Sequence, residues 1–181
     1  MDETGSPRVI VGVTGSLASL NALRRALAEA RSRNAVLQVV HVCRVADGDP
    51  ALTEALREPG KAGLEEIGTW LDEALGGPPA GVALRQTFVA GAPPGRTLVG
   101  LVRAETDLLV VGRSRSRIGL FGAGLFGASV AEYCIRHAEC PVLVVPPPEL
   151  ARELGRQASL HRRIDRALAT ELRAGQDDRR R

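Results

Sequence analysis

Thr106-Asp107-Leu108-Leu109-Val110-Val111-Gly112 is the stretch on which the fold turns. Its middle is apolar without a break, and it stops at a glycine. A strand on a half-solvated sheet alternates apolar and polar residues, whereas a strand buried on both faces of a parallel sheet reads as a continuous aliphatic run. The segment is therefore expected to be a buried strand of a parallel sheet, the strongest strand in the chain. Parallel neighbours are joined by crossovers, usually helices, so helical patterns should flank it.

They do. Upstream, Val82 to Val89 reads as a strand, and Gly91-Ala-Pro-Pro-Gly95 as a loop opening a helix that ends near Ala104. Downstream, Ser129 to His137 reads as a helix and Pro141 to Val145 (PVLVV) as a last strand. Toward the N-terminus, Arg8 to Val13 (RVIVGV) is a β-branched run ending at Thr-Gly-Ser. From Leu17 to Ala30, the residues Leu20, Leu23, Ala26, Leu27 and Ala30 recur at helical spacing, with Arg24, Arg25 and Glu29 outward and Asn34 closing the helix. Val36 to Val42 (VLQVVHV) is the second strand, and Leu52 to Leu75 a helix with Pro59 and Gly60 as its point of interruption. Five strands alternating with four helices give an α/β fold, a five-stranded parallel sheet with helices on both faces, Rossmann-like, with right-handed crossovers. Such sheets bind ligands at the C-terminal edge of their strands.

The 181 residues suffice for one domain with a sizeable core, and the 3% aromatic content leaves that core to Val, Leu, Ile and Ala. Three consecutive prolines, Pro146 to Pro148, end the fold because they cannot continue a ladder. The boundary is set there: residues 1–148 form the domain and residues 149–181 an Arg-rich tail. In the tail, Leu160, Ile164, Leu168 and Leu172 fall on one stripe of an amphipathic helical extension. The tail holds nine Arg against six acidic residues, so the whole net charge of +3 sits in it and the domain is balanced. A nucleic-acid binder would show a basic face on the domain itself, and the tail stripe lacks the Trp and Phe of a membrane-surface helix. Neither nucleic acid nor membrane is an expected partner. No apolar run approaches the length of a bilayer span, Met1 to Arg8 lacks the apolar stretch of a signal peptide, and the expected location is the cytoplasm. Cys43, Cys134 and Cys140 show no C-x-x-C pair, and Cys134, His137 and Cys140 lack a fourth ligand for zinc. Neither a metal cluster nor a covalent cofactor is expected.

The ordered set of these segments resembles the universal stress protein family over nearly all of Arg8 to Val145. The resemblance is carried by Arg8-Val-Ile-Val-Gly-Val-Thr-Gly-Ser16, Val39-Val-His-Val42, Gly91-Ala-Pro93, Thr106-Asp-Leu-Leu-Val-Val-Gly112, Ser129-Val130 and Arg136-His-Ala-Glu-Cys-Pro-Val-Leu-Val-Val145. It implies the adenine nucleotide alpha hydrolase-like version of the fold and a homodimer paired through the last strand, Val142 to Val145. It also implies ATP in the cleft above the sheet for those members that bind nucleotide, and an empty cleft for others. The binders share a loop G-x-x-G followed nine residues later by G-S or G-T, whose backbone N–H groups cradle phosphate. The positions that match are Thr14, Val42, Gly112, Gly127, Ser129 and Val130.

The match is incomplete. Arg115 stands in place of the loop's second glycine, Ala128 in place of the glycine before Ser129, and Thr14 where binders carry an aspartate. The segment from Gly112 to Ser129 is about three residues longer than the family pattern, and it carries Arg113, Arg115 and Arg117 beside Gly119, Gly122, Gly124 and Gly127. Arginine suits an anion, so Arg113 and Arg115 join the candidate site in a remodelled loop; the other reading of the segment is a solvated loop without a ligand. Two further functions stand beside nucleotide binding. One is a nucleotide-independent protein-interaction module, with protein partners that the sequence does not name. The other is an ATP-hydrolysing enzyme, which has little support: there is no G-x-x-x-x-G-K-[ST] loop, the lone lysine, Lys61, falls in a helix, and His41 lies inside a strand. The chain is expected to bind rather than catalyse.

Overall fold

The computed structural model describes residues 6–43, 59–113, 129–149 and 153. The elements run β1 (Arg8–Val13), α1 (Leu17–Arg33), β2 (Val36–Cys43), α2 (Pro59–Leu75), β3 (Leu84–Ala90), α3 (Pro94–Gly100), β4 (Leu108–Gly112), α4 (Val130–His137) and β5 (Val142–Val145). All five strands are parallel, in the order β3-β2-β1-β4-β5. Among the described residues every predicted strand and helix is present. Residues 52–58 of the second expected helix, the Arg-bearing loop with Arg115 and Gly127, and the tail helix lie outside the described residues.

Strand alternation sorts the core into two layers. Val9, Val11 and Val13 of β1, Leu37 and Val39 of β2, and Leu108 and Val110 of β4 face α1 and α2, where they meet Leu20, Leu23, Leu27, Ile67 and Leu71. The alternate residues Ile10, Val40, Val42, Leu109 and Val111 face α3 and α4, where they meet Leu98, Ala131 and Cys134. β4 is thus buried on both faces, which is why it reads as a continuous apolar run. Each fully buried Val or Leu contributes about 1.5–3 kcal/mol of transfer free energy, so the layers, rather than helix propensity, hold α3 and α4 in place.

Local signals set the helix ends. Ser16 caps α1 by accepting from the Ser19 N–H, and Asn34 closes it in the left-handed conformation at φ 49°. Ser129 caps α4, accepting from the Glu132 N–H. The third helix stops at Gly100, short of the expected Ala104. The reason is Asp107, whose carboxylate accepts from the N–H groups of Arg103 and Ala104 at 2.9 and 3.2 Å and turns the chain before another helical turn can form.

The Asp107 carboxylate also receives Arg8 through both Nε and Nη2. The same guanidinium donates to the Leu101 carbonyl and the Gln38 amide oxygen, and Gln38 donates on to Thr87. This network ties the start of β1 and the residue before β4 to Gln38 of β2 and, through it, to Thr87 in the middle of β3. Burial pushes the Asp107 carboxyl up, but the hydrogen bonds from Arg8, Arg103 and Ala104 together with the Arg8 charge outweigh burial and hold it below the usual carboxylate range. A carboxyl held below its unfolded value contributes stability above that unfolded value, about pH 4, and loses it as pH falls through the folded value. Urea midpoints should therefore fall below about pH 4 in the wild type, and an Asp107→Asn variant, less stable at neutral pH, should show a smaller fall.

Candidate functional site

The site grows from the connectivity. The chain leaves β1 toward β2 on one side, while β4 and β5 lie on the other, so β1 and β4 flank the switch point of the sheet. Strand ends diverge there and leave a crevice. A cleft of about 120 Å³ occupies that position, between the C-terminal ends of the strands and the helices α3 and α4.

Its walls are the aliphatic side chains of Val40, Val42, Leu98 and Val111, and its rim includes Thr14, Gly112 and Val130. Gly112 ends β4 against the first turn of α1: a Cβ there would lie 2.6 Å from the Ala18 carbonyl oxygen, a backbone atom unable to swing away. The floor is the turn after β1. Gly15 adopts φ +65°, and a Cβ on it would lie 2.6 Å from Trp70 Nε1, so conformation and space both require glycine. The Thr14 N–H donates to Ser19 Oγ, and the Thr14 hydroxyl is paired with that of Ser16 at 3.2 Å.

The rim therefore combines an apolar slot with a helix end. Val130, the first residue of α4, lines the cleft, so the N-terminus of that helix lies beside it, and a helix dipole favours an anion at that end. The Ser129 hydroxyl is already engaged with the Glu132 N–H at 3.2 Å. Such a shape suits a flat apolar ring in the slot with a negative group at its mouth. A second hollow, about 240 Å³, lies at the opposite edge among Arg31, Asn34 and Val82. It is the larger of the two, but it sits at the N-terminal ends of the strands, where this architecture does not gather ligand groups.

Of the sequence-derived site residues, Thr14, Val42, Gly112 and Val130 come together around the cleft. Ser129 is adjacent as the α4 cap. Arg113 follows β4, is exposed, and its N–H donates to the Val145 carbonyl at 2.7 Å. Arg115 and Gly127 lie outside the described residues. Sequence reasoning missed Val40, Leu98 and Val111, although the strand period places Val40 on the same face as Val42. Cys134 and Cys140 are buried behind the cleft among the side chains under α3 and α4. Burial raises both thiols, Cys134 to about 11, which removes the thiolate needed for reactivity. Among the described residues no cluster of three metal-ligating side chains occurs, and no helix is long and apolar enough to cross a membrane.

A model of the universal stress protein family matches residues 6–146. A universal stress protein of Methanocaldococcus jannaschii is 28% identical over 150 residues, covering 78% of this chain and 83% of the relative. Among solved structures, a universal stress protein in complex with cAMP is 28% identical, with a TM-score of 0.55 over 80% of this chain and 100% of the other. A member of the family from Burkholderia pseudomallei is also 28% identical, with a TM-score of 0.51 over 81% of this chain and 100% of the other.

Proposed function

Because the chain belongs to the universal stress protein family, we propose that it is a binding protein that holds an adenine nucleotide in the cleft between β1, β2 and β4. The base lies between Val40, Val42, Leu98 and Val111, and the phosphate meets the N-terminus of α4 and the glycine that ends β4. The observation that carries this reading is the cleft itself, a hollow walled by aliphatic side chains at the C-terminal ends of the strands that reaches Val130, the first residue of α4. The 28% identical structure that holds cAMP supports it. Arg113, exposed directly after β4, supplies charge to the phosphate in place of missing glycine contacts. The described lining consists of aliphatic side chains, glycines, Pro94 and the hydroxyls of Thr14, Ser16 and Ser19, a surface suited to holding a ligand, and the location that goes with this reading is the cytoplasm.

The homodimer forms through β5. Among the described residues that strand has β4 as its one neighbour in the sheet, and Val142, Leu143 and Val144 are half-buried on it. An open aliphatic edge of this kind is covered in natural proteins, and a second copy of the same edge completes the ladder.

A Val130→Glu variant tests the nucleotide site. Val130 is 37% exposed at the first position of α4, where a carboxylate is compatible with the helix dipole, so the melting temperature should hold or rise slightly. The same carboxylate repels phosphate, and affinity for AMP and cAMP should fall by about tenfold or more while adenosine is affected far less. Equal losses for nucleotide and nucleoside, or no loss for either, would place the phosphate elsewhere.

A further inference from the structure

The polar side chains that line the described part of the cleft are three hydroxyls, those of Thr14, Ser16 and Ser19. They differ in what they have left to offer a ligand. Ser19 is buried and committed twice, its Oγ accepting from the Thr14 N–H at 3.2 Å and donating to the Ser16 carbonyl at 2.9 Å. Thr14 and Ser16 are exposed and bonded to each other, Oγ1 to Oγ at 3.2 Å, and Ser16 Oγ also accepts from the Ser19 N–H at 3.3 Å. A hydroxyl has one hydrogen and two lone pairs. One of the pair's two hydrogens is used between them; whichever oxygen donates it, the other hydrogen is left to donate outward from the rim.

The topology sets what that donor meets. β1 lies between β2 and β4, and Val13 at its end is in register with His41, which puts Thr14 level with Val42. With the base against Val40 and Val42 of β2 and the 5′-phosphate at the Gly112 end of β4, the sugar that joins them crosses the end of β1, over Thr14. The turn carrying Thr14 is held on both sides, by Ser19 at the Thr14 N–H and by Trp70 against Gly15. The field at this corner favours negative charge: Ser16 is the N-cap of α1, a helix of 17 residues whose first turn reads Leu17-Ala-Ser-Leu20.

We propose that the Thr14 and Ser16 hydroxyls select adenine nucleotides that carry a phosphate on the sugar ring in addition to the one at the 5′ position, adenosine 3′,5′-bisphosphate being the simplest. A hydroxyl forms its stronger hydrogen bonds with charged acceptors, and a ring phosphate brings such an acceptor to the outward donor, where a ribose hydroxyl is neutral. Both residues are exposed, so the added group sits at the solvent edge and the apolar slot need not widen. The inference rests on the nucleotide reading of the cleft and deepens it: base and 5′-phosphate place the ligand, and Thr14 discriminates among ligands so placed.

The test is a set of calorimetric titrations of the full chain at neutral pH with AMP, ADP and adenosine 3′,5′-bisphosphate. ADP controls for charge, because its second phosphate lies away from the sugar. The wild type should bind the bisphosphate about three- to tenfold more tightly than AMP. Thr14→Asp replaces the donor with a carboxylate that accepts and adds a negative charge, so the bisphosphate-to-AMP ratio should invert to a preference of about tenfold or more for AMP, while the ADP-to-AMP ratio moves far less. Thr14→Val removes the hydroxyl without adding charge and should bring the bisphosphate-to-AMP ratio toward one. Thermal unfolding identifies a variant that fails to fold, in which case the wild-type series alone decides. A wild type that binds AMP but takes the bisphosphate no better, or a Thr14→Asp variant whose two ratios shift equally or not at all, overturns the selection and leaves the nucleotide reading standing. No binding of any of the three ligands overturns that reading and the selection with it.

Discussion

Asp107→Ala is expected to destabilise the protein by about 3–5 kcal/mol, the cost of leaving a buried cation without its partner. Arg8 is 11% exposed and Asp107 2% exposed at their side chains, so water does not replace the lost carboxylate. The loss has three components. The guanidinium keeps the Leu101 carbonyl and Gln38 but not its charged acceptor, the Arg103 and Ala104 N–H groups lose theirs, and the turn after α3 is released. Against a typical total of about 5–15 kcal/mol, this removes a large share of the stability. A double-mutant cycle with Arg8→Met identifies the mechanism: the double variant should be clearly more stable than the sum of the single losses implies, because an apolar pair leaves no orphaned charge. Additive losses would mean that each residue acts through separate contacts.

Gly112→Ala should cost about 2–3 kcal/mol and weaken nucleotide binding by about tenfold or more, because the strain falls on backbone that the cleft depends on. The added Cβ would sit 2.6 Å from the Ala18 carbonyl oxygen, 2.7 Å from the Ala18 carbonyl carbon and 3.0 Å from the Ser19 nitrogen. Relief requires moving the first turn of α1, which carries the Ser16 cap and the Ser19 hydroxyl that holds Thr14. Gly100→Ala is the matched control. A Cβ there meets nothing within 4 Å, so stability should stay within about 0.5 kcal/mol of wild type or rise, and binding should not change. Equal behaviour of the two variants in thermal unfolding and cAMP titration would remove the steric argument.

The two variants also mark what the sequence could and could not convey. Strands and helices were legible because their signal is local: β4 is aliphatic on both faces since two helical layers cover it, and Ser16, Asn34 and Ser129 cap by bonds to residues a few positions away. Gly112 was legible as a site glycine through the family motif, but not for its structural reason, which lies in the packing of β4 against Ala18. Asp107 was visible only as part of a motif. Its partner Arg8 is 99 positions away, a separation that periodicity cannot bridge, and the same carboxylate shortened α3 from the expected Ala104 to Gly100. His41 was legible as lying inside a strand, where it is buried, yet the Val13 carbonyl and Glu66 that face its two ring nitrogens come from other elements. Thr14, Val42, Gly112 and Val130 come from four separate segments and meet because the topology brings the ends of β1, β2 and β4 beside α4.

The most direct measurement is a calorimetric titration of the natively purified, nucleotide-stripped protein with AMP, cAMP and ATP at neutral pH, together with analysis of any adenine nucleotide released on denaturation. One site per chain for at least one of these ligands, competed by the others and weakened in Val130→Glu, is the predicted result. No released nucleotide and no heat of binding for any of the three would contradict the account and leave the β5 edge as the place to look for function.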